Sequence, residues 1–422
     1  MIDTDIGKAG EQFIAKLCER AAFADYVFAN PKYFRGTLEK ELCDVLVFFE
    51  NSVFLIQIKT ACQSAHHHFG QEKRQKWKRK KIAEAATQLK GAHRAMLTKN
   101  ITSVTNERRG SVDFPDPAQL RFVGIVVVDY LKEEPLQPGM VPLPHVDGLK
   151  TLLFNFDDLV EFTHELSTIG DLIDYINIRA DLRSVLFEDS DELDLLAFFK
   201  SRRDIFDFRE AGTPLPDFLL VQEGIWDEYS SSPTRAARDA ADRPSWVFDA
   251  LIDKLYDGRL VPDVFTAQEP SEPTEDSPRD DRYIEILNEL NRYRRVERRV
   301  IGEKMLEKMK ACSAERPDRY FLGLYPDRCP ILFLISQSPR PKRMKLLQNL
   351  AVAAKLHQSL TKIIGIATEP LDSCGRSVDS LCLESDPAAD RKDWTPEEIG
   401  QLQSKFSQAK NISVDEYPKD GS

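Results

Sequence analysis

The sequence predicts an α/β protein: an N-terminal domain ordered helix, β-hairpin, helix, strand, then a helical middle region and a second small α/β domain at the C-terminus. Three observations predict it. Apolar residues at helical spacing, Phe13, Ile14, Leu17 and Cys18, open the chain. Two strand-like runs, Leu42–Phe49 and Val53–Lys59, are separated only by Glu50-Asn51-Ser52, which suits a tight hairpin. A β-branched run, Arg121–Tyr130, reads as a buried strand and follows a long helical pattern.

The elements follow in order. The first 25 residues form an amphipathic helix loosened at its start by Gly7 and Gly10. An extended stretch and the hairpin come next, then a helix over Glu72–Leu97, rich in Lys, Ala, Gln and Leu. Residues 131–148 hold four prolines and read as a loop, and residues 150–210 look helical and acidic. Four prolines among Glu, Asp and Ser mark 262–281 as a disordered linker. Beyond it, Tyr283–Met309 reads as one long helix or two short ones. Strands at Tyr320–Leu324 and Ile331–Ile335, a helix Arg343–His357 and a strand Lys362–Ala367 complete the second module. The expected domains are 1–165, 166–261, the linker 262–281, and 282–422. The second module repeats the element order of the first, as a decayed duplication would, although that order is common among small α/β folds.

With 42% hydrophobic and 30% charged residues, the composition is that of an ordinary globular protein. No apolar run is long enough to span a bilayer, and no signal peptide is visible, so a cytoplasmic protein without a membrane partner is expected. Seven cysteines without C-x-x-C spacing argue for reduced thiols and against structural zinc. The net charge of −11 hides a sorted distribution: residues 1–130 carry 20 Lys and Arg against 15 Asp and Glu, and residues 282–345 carry 16 against 8. No P-loop, G-x-G-x-x-G or Ser-His-Asp order supports nucleotide hydrolysis or acyl transfer.

The hairpin carries the chemistry. A turn near Asn51 sets Asp44 opposite Gln57–Lys59, and strand alternation puts Gln57 and Lys59 on one face. A carboxylate, an amide oxygen and an amine then meet at one end of a sheet. Mg²⁺ takes hard oxygen ligands, one or two carboxylates among them. A bound divalent cation polarises a phosphate and lowers the pKa of water, and a neighbouring ammonium stabilises developing negative charge. Asp44 would supply the carboxylate, Gln57 an oxygen, the Ile58 carbonyl a further ligand, and Lys59 the ammonium. A plain cross-strand ion pair of Asp44 with Lys59 is the alternative.

Asp44, a short hairpin, then Gln57-Ile58-Lys59 resembles the PD-(D/E)XK nuclease motif, and more narrowly the Mrr-like and NERD-like restriction-endonuclease groups in which Gln replaces the second acid. Glu11, within Gly7-Lys-Ala-Gly10-Glu11, is similar to the first-helix glutamate that completes such metal sites. Gln88 resembles a glutamine on the helix after the catalytic lysine. The resemblance covers roughly residues 7–130. It implies a restriction-endonuclease-like nuclease domain, with Mg²⁺ or Mn²⁺ as cofactor and phosphodiester hydrolysis in restriction or phage defence as the function. The sequence departs from the motif at Cys43, where a proline is usual, and at the neutral Gln57, a loss of charge that Glu11 or Glu41 would have to offset. Glu11 could instead serve only the helix dipole, and Gln88 could face solvent.

Lys73-Arg74-Gln75-Lys76-Trp77-Lys78-Arg79-Lys80-Lys81 holds seven basic residues in nine, directly after the active-site strand. Such a segment neutralises phosphates and gives salt-sensitive affinity, and Trp77 could stack on a base; the alternative is a solvated helix end with Trp77 packed inward. His66, His67 and His68 cannot all reach one ion from a regular element and are expected to line a loop over the site. Arg292, Arg294, Arg295, Arg298 and Arg299 fit DNA contact or a salt-bridged dimer helix. The expected partner is DNA, with RNA not excluded. Duplex cleavage implies at least a homodimer, and a partner protein is possible. The alternatives are a non-cleaving nucleic-acid-binding or regulatory protein on a degenerate nuclease fold, and an assembly protein.

Overall fold

A computed structural model describes residues 2–22, 24–35, 37–60, 70–106, 108–129, 148–182, 185–188, 190–201, 217–256, 281–325, 328–371 and 377–385, with isolated residues at 395, 397 and 400. Nearly all of the expected loop 131–148 and linker 262–281, and all of His66, His67 and His68, lie outside the described residues. The chain is mixed α/β and divides into two compact units, residues 1–235 and 236–422.

In the first unit, α1 (Ile2–Ala22) leads through a short 3₁₀ turn to β1 (Val27–Ala29), β2 (Lys32–Arg35) and β3 (Leu38–Glu41). The hairpin is β4 (Val45–Phe49) and β5 (Ser52–Lys59), closed at Glu50, whose φ of +56° is left-handed. Then come α2 (Gln71–Leu97), the small hairpin β6 (Ser103–Asn106) and β7 (Gly110–Asp113), β8 (Arg121–Val128) and β9 (Lys150–Asn155). The sheet order is β1-β4-β5-β8-β9, with β1, β4 and β5 antiparallel and β5, β8 and β9 parallel. The α2 crossover is what a parallel β5–β8 pair requires.

Both faces of this sheet are covered, so its strands read as continuous apolar runs. On one face Ile14, Leu17 and Cys18 of α1 pack on Val45, Val47, Ile56 and Ile125. On the other, Ile82, Ala85, Leu89 and Ala92 of α2 pack on Leu46, Val53, Leu55 and Val126. Lys150–Asn155, expected to be helical, is a strand, because Leu152 and Phe154 alternate into the α1-side core while the parallel ladder to β8 pairs the backbone.

The middle region divides between the units. Helices α3 (Asp158–Glu165), α4 (Ile169–Asp181) and α5 (Glu192–Ser201), strands β10 (Val185–Glu188) and β11 (Leu219–Gln222) and helix α6 (Ile225–Ser230) belong to the first unit. Phe162, Ile169, Tyr175, Leu196 and Phe199 extend the α1-side core, so these helices have no separate core. Helix α7 (Pro233–Asp242) spans the division at residue 235. Among the described residues no helix is long and apolar enough to cross a membrane.

The second unit holds α8 (Ser245–Tyr256), α9 (Asp281–Asn291), α10 (Arg295–Ala311), β12 (Asp318–Gly323), β13 (Ile331–Ser336), α11 (Arg340–Gln358), β14 (Lys362–Thr368) and β15 (Val378–Glu384). Its sheet runs β12-β13-β14-β15, with only β13 and β14 parallel. The antiparallel pair, crossover helix and parallel strand of the first unit thus recur; the fourth strands differ, β9 being parallel to its neighbour and β15 antiparallel.

Three arginines of α10 are paired with acids of the preceding helices. Arg295 and Arg298 donate to the two oxygens of Asp249 at 2.5 and 2.8 Å, and Arg299 to Asp242 at 3.3 Å. Arg298 is fully buried and also donates to the Tyr293 carbonyl at 2.8 Å. Their charge ties α10 to Asp242 of α7 and Asp249 of α8.

Gly302 of α10 lies against the backbone before α8: a Cβ there would fall 2.0 Å from the Pro244 carbonyl oxygen. Gly302→Ala should therefore push the helices apart and cost about 1–3 kcal/mol, read as a lower urea midpoint. Gly91→Ala, with no atom within 4 Å of its Cβ position, should stabilise α2 by up to about 1 kcal/mol.

Candidate active site at the end of the hairpin

The ladder pairs Val45 with Ile56, so Asp44, one residue before β4, lies across from Gln57. Asp44 is only 6% exposed. The backbone N–H of Ile58 donates to its Oδ2 at 2.6 Å, fixing the carboxylate against the end of β5. A strand residue's N–H and C=O point to the same side in such a pairing, so the Ile58 carbonyl also leans past the end of β4. Gln57 is 3% exposed and Lys59 half-buried, both on the α2 face as alternation predicts.

The Gln57 amide stands among three polar groups. With its oxygen towards Asp44 it accepts from Lys59 Nζ at 3.3 Å. Turned over, its NH₂ donates to the Asp44 oxygens at 3.1 and 3.3 Å and to Gln88 Oε1 at 3.0 Å. With no cation bound, the second arrangement is favoured, because an amide oxygen facing a carboxylate is repelled. Gln88 therefore joins the site through Gln57, and both line a cavity of about 250 Å³ with Tyr33, Glu41 and Asp44.

Glu11 arrives from the other face of the sheet. Gly10 lets α1 close on the end of β5, where a Cβ would sit 2.6 Å from Thr60 Cγ2. Phe13 stacks on Phe156 with ring centroids 5.7 Å apart, holding the same stretch of helix. Burial first, and the Asp44 charge second, raise the Glu11 pKa, while Lys59 and Lys8 oppose the rise. Asp44 is likewise raised, chiefly by burial and against the pull of Lys59. Glu41, at the end of β3, is pushed up to about 7 by desolvation, then by Asp44 and Glu11, and shares a hydrogen bond with Asp44.

The groups assembled here are hard oxygens: the carboxylates of Glu11, Glu41 and Asp44, the Gln57 amide and the Ile58 carbonyl. They fit Mg²⁺ or Mn²⁺. Cys43 is no soft ligand, since its fully buried thiol donates to the Val45 carbonyl at 3.3 Å and burial holds its pKa well above the ordinary range. Among the described residues no three His, Cys, Asp or Glu side chains are already set as a ligand group. A cation here would have to draw the acids together and complete its shell with water.

The basic helix is only partly a surface. Lys73, Lys76, Arg79 and Lys80 are exposed, and Arg74 and Lys81 are half-buried. Lys80 and Lys81 pair with Glu84 at 3.8 and 2.8 Å. Two residues depart from the expected interface: Lys78 is 1% exposed, and Trp77 packs against the α2-side core. Helical periodicity turns these positions inward, Lys78 wholly and Trp77 in part. Glu84 feels the Lys59 charge, so the basic turns run beside the site.

Sequence reasoning missed Asn30, which stands between β1 and β2. Its N–H donates to the Asp44 carbonyl at 2.8 Å, its side chain bonds Glu11, and its φ is +47°. The only signal was an Asn before Pro31 at a strand end. In the second unit, Asp318 pairs with Ser336 in a similar register, Ser336 Oγ donates to Asp318 at 2.5 Å, and Ser338 stands where a lysine would be needed.

The raised acids give a signed pH effect. In the unfolded chain Glu41 loses its proton near the ordinary 4.5, and in the folded state near 7, so folding binds extra protons between these values. Stability should therefore fall as pH rises through that window. The melting temperature of wild type should drop more than that of Glu41→Gln from about pH 5 to about pH 8. Millimolar Mn²⁺ should recover part of the wild-type loss; parallel profiles would remove Glu41 from the cluster. No family model, curated protein or solved structure matches this chain.

Proposed function

We propose that the first unit is a metal-dependent endonuclease of restriction-endonuclease-like fold that hydrolyses DNA phosphodiester bonds, acting in restriction or defence against foreign DNA. One observation carries this reading: Glu11 of α1, Asp44 just before β4, and Gln57 and Lys59 of β5 converge at one end of the sheet beside a basic helix. A structural ion pair would need only two of them.

Asp44, Glu11, Gln57 and the Ile58 carbonyl would hold Mg²⁺ or Mn²⁺, with Glu41 supplying the charge that Gln57 lacks. When bound, such a cation supplies positive charge against the phosphate and makes water more acidic. Lys59 holds an ammonium beside that phosphate, orienting the attacking water and stabilising negative charge as it develops. The Ile58 N–H keeps Asp44 from turning away. Gln88 is a positioning residue that fixes Gln57. Lys73, Lys76, Arg79 and Lys80 present charge to the phosphates; RNA would meet the same charges. Two cuts in a duplex call for two copies of the site, hence a homodimer or a larger assembly.

A second reading has its own support. The Gln57 NH₂ can donate to both Asp44 oxygens and so occupy the carboxylate without any metal. That would suit a protein that binds nucleic acid on a degenerate nuclease fold and regulates without cutting. An assay of plasmid and linear DNA with Mg²⁺ or Mn²⁺ separates the two. The nuclease reading expects cutting by wild type, and a loss of about 10²-fold or more in Lys59→Ala with DNA binding retained. Equal cutting by both proteins would remove Lys59 from the chemistry, and binding without any cutting would favour the regulatory reading.

A further inference from the structure

The Asn30 side chain has one use of its two polar atoms that the fold explains and one that it does not. Its amide donates towards the Glu11 carboxylate, an orientation set by charge, since the opposite one would face oxygen to oxygen. Its Oδ1 is thereby fixed in place, buried, and without a hydrogen-bond partner among the described residues. A buried carbonyl oxygen with no donor is costly to keep. The backbone gives it no freedom to escape. Asn30 follows β1, where Ala29 pairs with Val45, and its N–H is tied to the Asp44 carbonyl at 2.8 Å. Asn30 is therefore tethered to Asp44 through its backbone and to Glu11 through its side chain, the two carboxylates that reach this edge from β4 and α1.

We propose that Asn30 is a positioning residue of the cation site, its Oδ1 helping to hold a hydrated divalent cation between Glu11 and Asp44; this rests on the metal-site reading above. An amide oxygen adds a hard acceptor without adding a third close negative charge, which suits a site where the carboxyls already repel one another. The competing explanation is conformational. A φ of +47° favours Gly, Asn or Asp, and Asn could be there for the backbone alone.

Asn30→Gly separates these, because glycine keeps the left-handed backbone and removes only the side chain. Mn²⁺ affinity of the full chain, read by calorimetry and by the spin-resonance signal of free Mn²⁺, is measured beside the metal-free melting temperature. The expected result is Mn²⁺ binding weakened about tenfold or more in Asn30→Gly, with the metal-free melting temperature close to wild type. Asn30→Asp keeps shape and backbone, and the one negative charge it adds should tighten Mn²⁺ binding; it also serves if the glycine variant does not fold. Unchanged affinity in either folded variant, with binding still abolished by Asp44→Ala, would overturn the Asn30 assignment while leaving the site intact. No Mn²⁺ uptake by wild type would overturn the metal-site reading and this inference together.

Discussion

One hydrogen bond organises the end of the hairpin: the Ile58 N–H donating to Asp44 Oδ2 at 2.6 Å. It exists because the antiparallel ladder ends at Val45 and Ile56, leaving the next outward N–H of β5 without a backbone acceptor. A side-chain carboxylate takes that place. Every other polar group at this edge is set by it, since Gln57 and Lys59 flank Ile58 and cannot move without breaking the β5–β8 ladder. A one-residue slip of register would send Gln57 and Lys59 to the α1 face and Ile58 to the α2 face.

Keeping carboxyls close together at a buried edge is expensive, and the structure spreads that cost. A hydrogen bond to a charged acceptor returns about 1.5–3 kcal/mol, and a lysine nearby lowers the charge penalty further. Part of the rest is relieved at Glu41, pushed up to about 7 by desolvation and by Asp44 and Glu11, so that it gives up its proton later than an ordinary glutamate. A divalent cation would do the same work better, displacing that proton and turning repulsion into ligation. In the second unit the acids have protein partners instead: Asp318 is held by Ser336, and Asp379 and Glu369 by the fully buried Arg343 at 2.6 and 2.5 Å.

Much of this was legible in the sequence, for local reasons. The hairpin declared itself through two apolar runs and a short turn, and the pair Gln57 and Lys59 stood out because a buried strand has no structural use for two polar residues at its end. Glu11 and Gln88 were readable only through resemblance to a family motif, yet both reach the hairpin. What escaped was non-local. Lys150–Asn155 becomes a strand because β8 offers a free edge, which its own composition does not announce. Trp77 and Lys78 turn inward because α2 needs their flank for the core. The arginines after Tyr293, readable as DNA contacts or as a salt-bridged helix, meet Asp242 and Asp249, residues some fifty positions earlier in the chain. Asn30 carries no signal beyond its type, since its meaning lies in contacts to residues far along the chain.

The central claim is that the oxygens gathered around Asp44 form a divalent-cation site with Lys59 beside it. Crystals soaked in Mn²⁺ and measured at the manganese absorption edge test this directly. The account predicts an anomalous peak within ligand distance, about 2.0–2.3 Å, of Asp44 and at least one of Glu11 or Glu41, with the Gln57 oxygen turned towards it. A peak elsewhere, or an empty site with the Gln57 amide still donating to Asp44, would contradict it.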